Sequence, residues 1–441
     1  MLRNIHAPET AADTGVRIRD AAFPAPFPSQ MEYNAPVRGP WNIVNTSMLL
    51  PESHQIYICA EGCLRGVVMT AAEMNALDRM SWVAVREQEL IDGGMDDQIV
   101  EGVTDILHKM DVLPRAVWIY PSCIHLFAGC DLPRLTDVLR ERFPAVTFIE
   151  AWMQPTMRKT GLAVEEITWR QMYAPLPPGQ QRDRAVNFIG RNFPTDESSE
   201  LYAMLSAGGI RVRDVTRCRT YAEYLELSRS AANLSLLPVA KAAGAALERR
   251  LGQKYLYLPL CYGADEILEN YSRLAELMKI PLPDFSQAQD RAANALHRTR
   301  ELVGETPIEL DYTAVPRPLG LARLLTEHGF RVRTVYADGF LEEERGDFEW
   351  LRRNTPALRI CPTVDVRMRF RRPAGEKVLA IGQKAAFFSG TEYFVNLVAG
   401  GGMYGFDGIA RLADLMTDAF NREKDTRTLI SRKGLGCESC L

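Results

Sequence analysis

The sequence predicts an α/β fold of three Rossmann-like domains, with parallel sheets flanked by helices. Two observations lead to this. From residue 95 onward, apolar runs of strand length alternate with stretches of helical period. Two proline-rich breaks, at 173–184 and 281–287, each restart the alternation. Strands that alternate with helices imply parallel sheets covered on both faces.

The elements follow in order. Residues 96–110 put Ile99, Val100, Val103, Ile106, Leu107 and Met110 on one helical face. AVWIY at 116–120 reads as a strand, 131–143 as a helix and 146–151 as a strand. After the first break, 185–190 reads as a strand and 200–209 and 221–232 as helices. Then come 233–239 (strand), 245–252 (helix), 255–260 (strand) and 264–278 (helix). Past the second break a long helix spans 288–303, and 308–312, 331–337, 358–363 and 377–382 read as strands. The expected division is an extended arm at 1–40, then domains at 41–182, 183–285 and 286–441. Six prolines between Pro8 and Pro40 keep the arm from forming helix or sheet, and it is expected to wrap a partner.

The bulk numbers exclude several classes. The chain has 441 residues, a formal net charge of −4 and a pI near 6.0, so it has no electrostatic reason to bind nucleic acid or an anionic membrane. No apolar run is long enough to span a bilayer, and the N-terminus has no signal-like apolar stretch. A cytoplasmic location is expected. Nine cysteines there do not form a disulfide framework.

Two of the cysteine stretches carry chemistry. In Cys59-Ala60-Glu61-Gly62-Cys63, followed by helix-like 67–79, Cys63 falls at a helix N-terminus just after a glycine. Close backbone approach and unsatisfied N–H groups there favour an anionic cluster. Ser122-Cys123 directly follows the strand 116–120, so Cys123 falls at the carboxyl end of a parallel strand, where α/β sheets bind ligands. The spacings are not those of a zinc site. Thiolates from separate loops are what an iron–sulfur cluster uses, and a small buried hydrophobe is the ordinary alternative for each cysteine. Cys130, seven residues beyond Cys123, is too far along the chain to share a small cluster with it. Cys218, Cys261 and Cys361 lie in or beside strand-like runs and read as core.

The order Gly62-Cys63, Ser81, Asp92-Gly93-Gly94, a helix, a strand, Ser122-Cys123 and Gly129-x-Asp131 resembles the N-terminal domain of nitrogenase component 1 subunits. Asn233-Leu234, Leu247–Gly252 and Tyr262-Gly263 resemble their second domain. Tyr404-Gly405-Phe406-Asp407-Gly408 before a helix resembles their third. The resemblance implies a nitrogenase-like oxidoreductase subunit with a P-cluster-like centre, [8Fe–7S] or [4Fe–4S], at the interface with a homologous component 1 subunit in an α2β2-like assembly. It implies metal ligands Cys63 and Cys123. Cys59 would stand in for a cysteine that the family pattern puts near Ser81-Trp82. A separate ATP-dependent [4Fe–4S] reductase would deliver the electrons.

Two departures narrow the expected activity. The cysteine and histidine that hold the active-site cofactor in the family are missing near Leu236-Leu237 and Val395–Leu397. A nitrogenase-type Fe–S cofactor is therefore expected in the partner subunit, and dinitrogen is not the expected substrate. The expected reaction on a small molecule is carbon–sulfur cleavage, as in methylthio-alkane reductases. The alternatives are a tetrapyrrole reductase subunit and a non-catalytic scaffold for cofactor assembly. No catalytic side chain stands out.

Gly400-x-Gly402-x-x-Gly405 matches a dinucleotide fingerprint, but no following strand ends in the acid that would bind a ribose. The C-x-x-C pair Cys437 and Cys440 sits at the chain end and is left unassigned.

Overall fold

The computed structural model describes residues 14–28, 32–33, 35, 37, 42–153, 162–371 and 375–425; the pair Cys437 and Cys440 lies outside them. The first strand, Val16–Arg17 (β1), belongs to the arm. Ile18 beside it is buried, and Phe23 packs its ring against Phe340 and Phe348. The described part of the arm therefore packs on its own chain. Its few apolar side chains are enough to dock it.

The first sheet contains Ser53–Cys59 (β2), Met80–Ala84 (β3), Ala116–Pro121 (β4) and Thr147–Glu150 (β5), all parallel in the order β3-β2-β4-β5. Helix Met95–His108 buries Ile99, Val100, Val103 and Leu107 against it, the face read from the sequence. The strands before residue 95 were not anticipated, because β2 carries buried polar residues. Gln55 donates to the Val44 carbonyl and accepts from Tyr57, so its polarity is satisfied inside the fold and hides the strand pattern.

The second sheet, Asp183–Ile189 (β6), Arg211–Asp214 (β7), Ser230–Ser235 (β8) and Lys254–Tyr257 (β9), repeats the topology as β7-β6-β8-β9. It shares one core with the first sheet, in which Tyr57, Trp118 and Tyr120 join Ile189, Val215, Tyr224 and Leu247. The expected helix 221–232 is shorter. Tyr221–Leu225 is α-helical, a 3-10 turn follows, and Ser230 already begins β8.

The third sheet has the order β1-β12-β11-β10-β13-β14, where β10 is Ile308–Asp311, β11 Val332–Tyr336, β12 Arg359–Cys361, β13 Leu379–Ile381 and β14 Phe394–Val395. Only β1 is antiparallel, with Val16 opposite Ile360. The α/β class with parallel sheets flanked by helices is borne out. The described residues form two compact units. Trp41–Pro194 and Gly209–Pro259 carry the first two sheets. Met1–Pro40, Thr195–Gly208 and Leu260–Leu441 carry the third. No described helix is long and apolar enough to cross a membrane.

Candidate metal centre

The order of the first sheet creates its site. From β2 the chain moves to β3 on one side, then returns to add β4 on the other. The carboxyl ends of β2 and β4 thus flank a topological switch point, where such sheets bind ligands. The two ends are tied together, since the Ser122 N–H donates to the Ile58 carbonyl at 3.0 Å.

Cys63 is the third residue of helix Glu61–Glu73, which leaves β2, and is exposed. Cys123 opens the short helix Cys123–Phe127, which leaves β4, and is half-buried. Both thiols are free. A Cβ added to Gly62 or Gly66 would meet no atom within 4 Å, so nothing in this chain requires glycine there. A glycine within a helix costs roughly 0.5–1 kcal/mol against alanine, and here it leaves the backbone beside Cys63 open to an outside group.

Cys59 is different. It is the last residue of β2, fully buried in the core with Tyr57 and Tyr120, whose rings stack at 4.8 Å. Burial, with the neighbouring Cys63, pushes its thiol up to about 12, so it is protonated at neutral pH. Only bound metal would draw off that proton. Among the described residues, no three His, Cys, Asp or Glu side chains gather closely enough to hold a metal ion. The residues therefore fit a cluster in part: two accessible thiols and one buried one.

The other described cysteines are hydrogen-bonded or buried. Cys130 is raised to about 12 by burial and by its hydrogen bond to Asp96. Cys218 Sγ donates to the Asp214 carbonyl, Cys261 accepts from Asn270 at 3.3 Å, and Cys361 is fully buried. His125 is fully buried, and its pKa is lowered by desolvation. Its Nε2 has no partner among the described residues.

The glycine loop at 400–405 precedes helix Gly405–Asn421, but that helix N-terminus is occupied. The Glu200 carboxylate accepts from the Phe406 and Asp407 N–H groups and from the Tyr271 hydroxyl. A pyrophosphate would need those same donors.

Sequence reasoning missed one property of the site's edge. Leu90 and Ile91 on helix Glu87–Asp92, and Leu126 and Phe127 after Cys123, are exposed, Phe127 to 78%. No local pattern in the sequence marks them, because exposure depends on how the short helices sit on the sheet.

The family described as nitrogenase component 1 type oxidoreductase matches residues 47–370. The chain belongs to this family. Members of this oxidoreductase family bind iron–sulfur clusters, and the family suggests a multi-subunit assembly with an ATP-dependent reductase. Solved structures of "Nitrogenase Cp1 at pH 6.5" and "Nitrogenase Cp1 at pH 5" share the fold, with TM-scores of 0.68 and 0.59 at 13% and 12% identity. They cover 90% and 91% of this chain, and 94% of each of theirs. No curated protein matches the sequence.

Proposed function

We propose that the chain is a subunit of the catalytic component of a nitrogenase-like reductase, with Cys63, Cys123 and Cys59 contributing thiolates to a P-cluster-like centre shared with a homologous subunit. One observation carries this: an exposed and a half-buried free thiol flank the switch point of a parallel sheet, beside glycines that nothing in the chain explains. Two accessible thiols are too few for a cluster within one chain, and a second subunit would complete the set. The bound cluster would accept single electrons from a separate ATP-dependent [4Fe–4S] reductase and pass them on. Helix Glu61–Glu73 would fix Cys63, and β4 with its following turn would fix Cys123. The exposed Leu90, Ile91, Leu126 and Phe127 would seat the partner around the centre.

For the reaction we propose carbon–sulfur cleavage of methylthio-alkanes, with a nitrogenase-type Fe–S cofactor in the partner subunit. The missing cofactor cysteine and histidine, together with three candidate thiolates, support this reading.

The test is anaerobic purification with the partner, followed by iron and sulfide analysis and electron paramagnetic resonance. Cys63→Ala and Cys123→Ala should each lose cluster iron and the paramagnetic signal. A full iron complement in Cys63→Ala would overturn the proposal. Turnover of a small thioether with the reductase and ATP is the expected catalytic result; its absence from an iron-replete complex would favour an assembly scaffold.

A further inference from the structure

Helix Lys241–Leu251, which follows β8, packs against helix Val164–Met172, which precedes β6. Both belong to the unit that carries the first two sheets. Between them lies a cavity of about 260 Å³. The first helix lines it with Ala243, Ala246, Leu247 and Arg250, spaced by three and four residues so that they share one face. Arg170 and Ala174, at the end of the second helix, line the other side. The space exists because alanine stands where a larger side chain would close the gap.

Two guanidinium groups add charge to this mostly apolar lining. Arg250 donates to the Tyr173 and Leu176 carbonyls, both at 2.6 Å, which fixes it at the C-terminal end of helix Val164–Met172. These bonds use two of the five N–H donors of a guanidinium. Arg170 lies in the last turn of the same helix and is exposed. Among the described residues it has no hydrogen bond or ion pair, and no carboxylate pairs with Arg250.

The nearest acids in the sequence are engaged elsewhere. Glu166, one turn before Arg170, accepts from the Ala163 N–H at 2.7 Å. Glu248, two residues before Arg250, accepts from the Tyr255 N–H at 3.4 Å. The helix C-terminus contributes roughly half a negative charge. Against two guanidinium charges that is too little, and the site stays positive.

We infer that this cavity binds a small organic monoanion, an aryl or alkyl carboxylate. The planar guanidinium fork matches a carboxylate, which would accept from Arg170 and from the unused donors of Arg250. The hydrocarbon part would lie on Ala174, Ala246 and Leu247. An inorganic phosphate fits less well, because its remaining oxygens would face apolar side chains without donors. The volume lies just under the roughly 300–1,000 Å³ usual for small-molecule pockets, so the ligand is small. This inference does not depend on the cysteine centre.

The experiment titrates the full chain, purified without oxygen, with sodium benzoate in a calorimeter. Benzyl alcohol, neutral and of similar shape, and sodium phosphate, an anion with no hydrocarbon part, are the comparison ligands. Each should bind about tenfold more weakly than benzoate, one lacking the charge-assisted hydrogen bonds and the other the apolar contact. Arg170→Gln should weaken benzoate binding roughly fivefold, the upper range for an exposed ion pair. Ala246→Leu, which fills the cavity and keeps both arginines, should remove it. No benzoate binding to the wild type, or unchanged binding in either variant, would overturn the site. Benzyl alcohol or phosphate binding as tightly as benzoate would overturn the carboxylate assignment. If a variant fails to fold, the three ligands on the wild-type protein decide alone.

Discussion

Cys59 and Cys63 are four residues apart but differ in the burial of their thiols. One ends a buried strand and is protonated in the core; the other lies in the first turn of an exposed helix. Replacing Cys59 by alanine should therefore leave a partial cluster, whereas Cys130→Ala, which removes only a thiol bonded to Asp96, should leave iron content near wild type. Iron per protein in anaerobic preparations checks both. Glu200 gives a pH prediction. Burial, reinforced by the nearby Asp407, raises its carboxyl to about 7. A carboxyl whose folded pKa is raised contributes stability that is fully present below its ordinary value of about 4.3 and is lost as pH rises through about 7. The thermal midpoint should fall between pH 5 and 8, and Glu200→Gln should reduce that fall. Buried Glu344 and Asp214 shift in the same direction, so the slope should shrink without vanishing. An unchanged slope in Glu200→Gln would remove Glu200 from the account.

At the scale of elements, the connections leaving the central strands carry the constraints. Gly190, just after β6, has φ +80°, and a Cβ there would run into the Ala240 methyl. Gly190→Ala should cost about 1–3 kcal/mol from overpacking, with backbone strain added. Ala240→Gly in the same chain should recover the steric part but not the strain. Denaturant midpoints of the two single variants and the double variant would separate the contributions. If the double variant were no more stable than Gly190→Ala alone, the clash would not be the cause.

For the whole molecule, the domain division at 41–182, 183–285 and 286–441 remains a proposal. Within it, the first two sheets share a single core. Association with a homologous subunit should depend on the apolar side chains around the first switch point. Ile91→Asp with Phe127→Asp places charge on residues 70% and 78% exposed. The isolated chain should keep its fold, and sedimentation should show weakened assembly with the partner. Unaltered assembly would move the interface elsewhere.

The sequence by itself determined the α/β class, through the alternation of strand-length and helical periods from residue 95 onward, which is a local property of the chain. It also marked Cys63 and Cys123, because the position of a residue after a strand or at a helix start is local as well. It did not reveal β2, whose polar residues find partners only inside the fold, or where the helix at 221 gives way to β8. Strand order lies beyond any local pattern, since it depends on which side of an existing strand each new one pairs. Only the tertiary structure therefore brought Cys63 and Cys123 to the two sides of one crevice and enclosed Cys59 in the core.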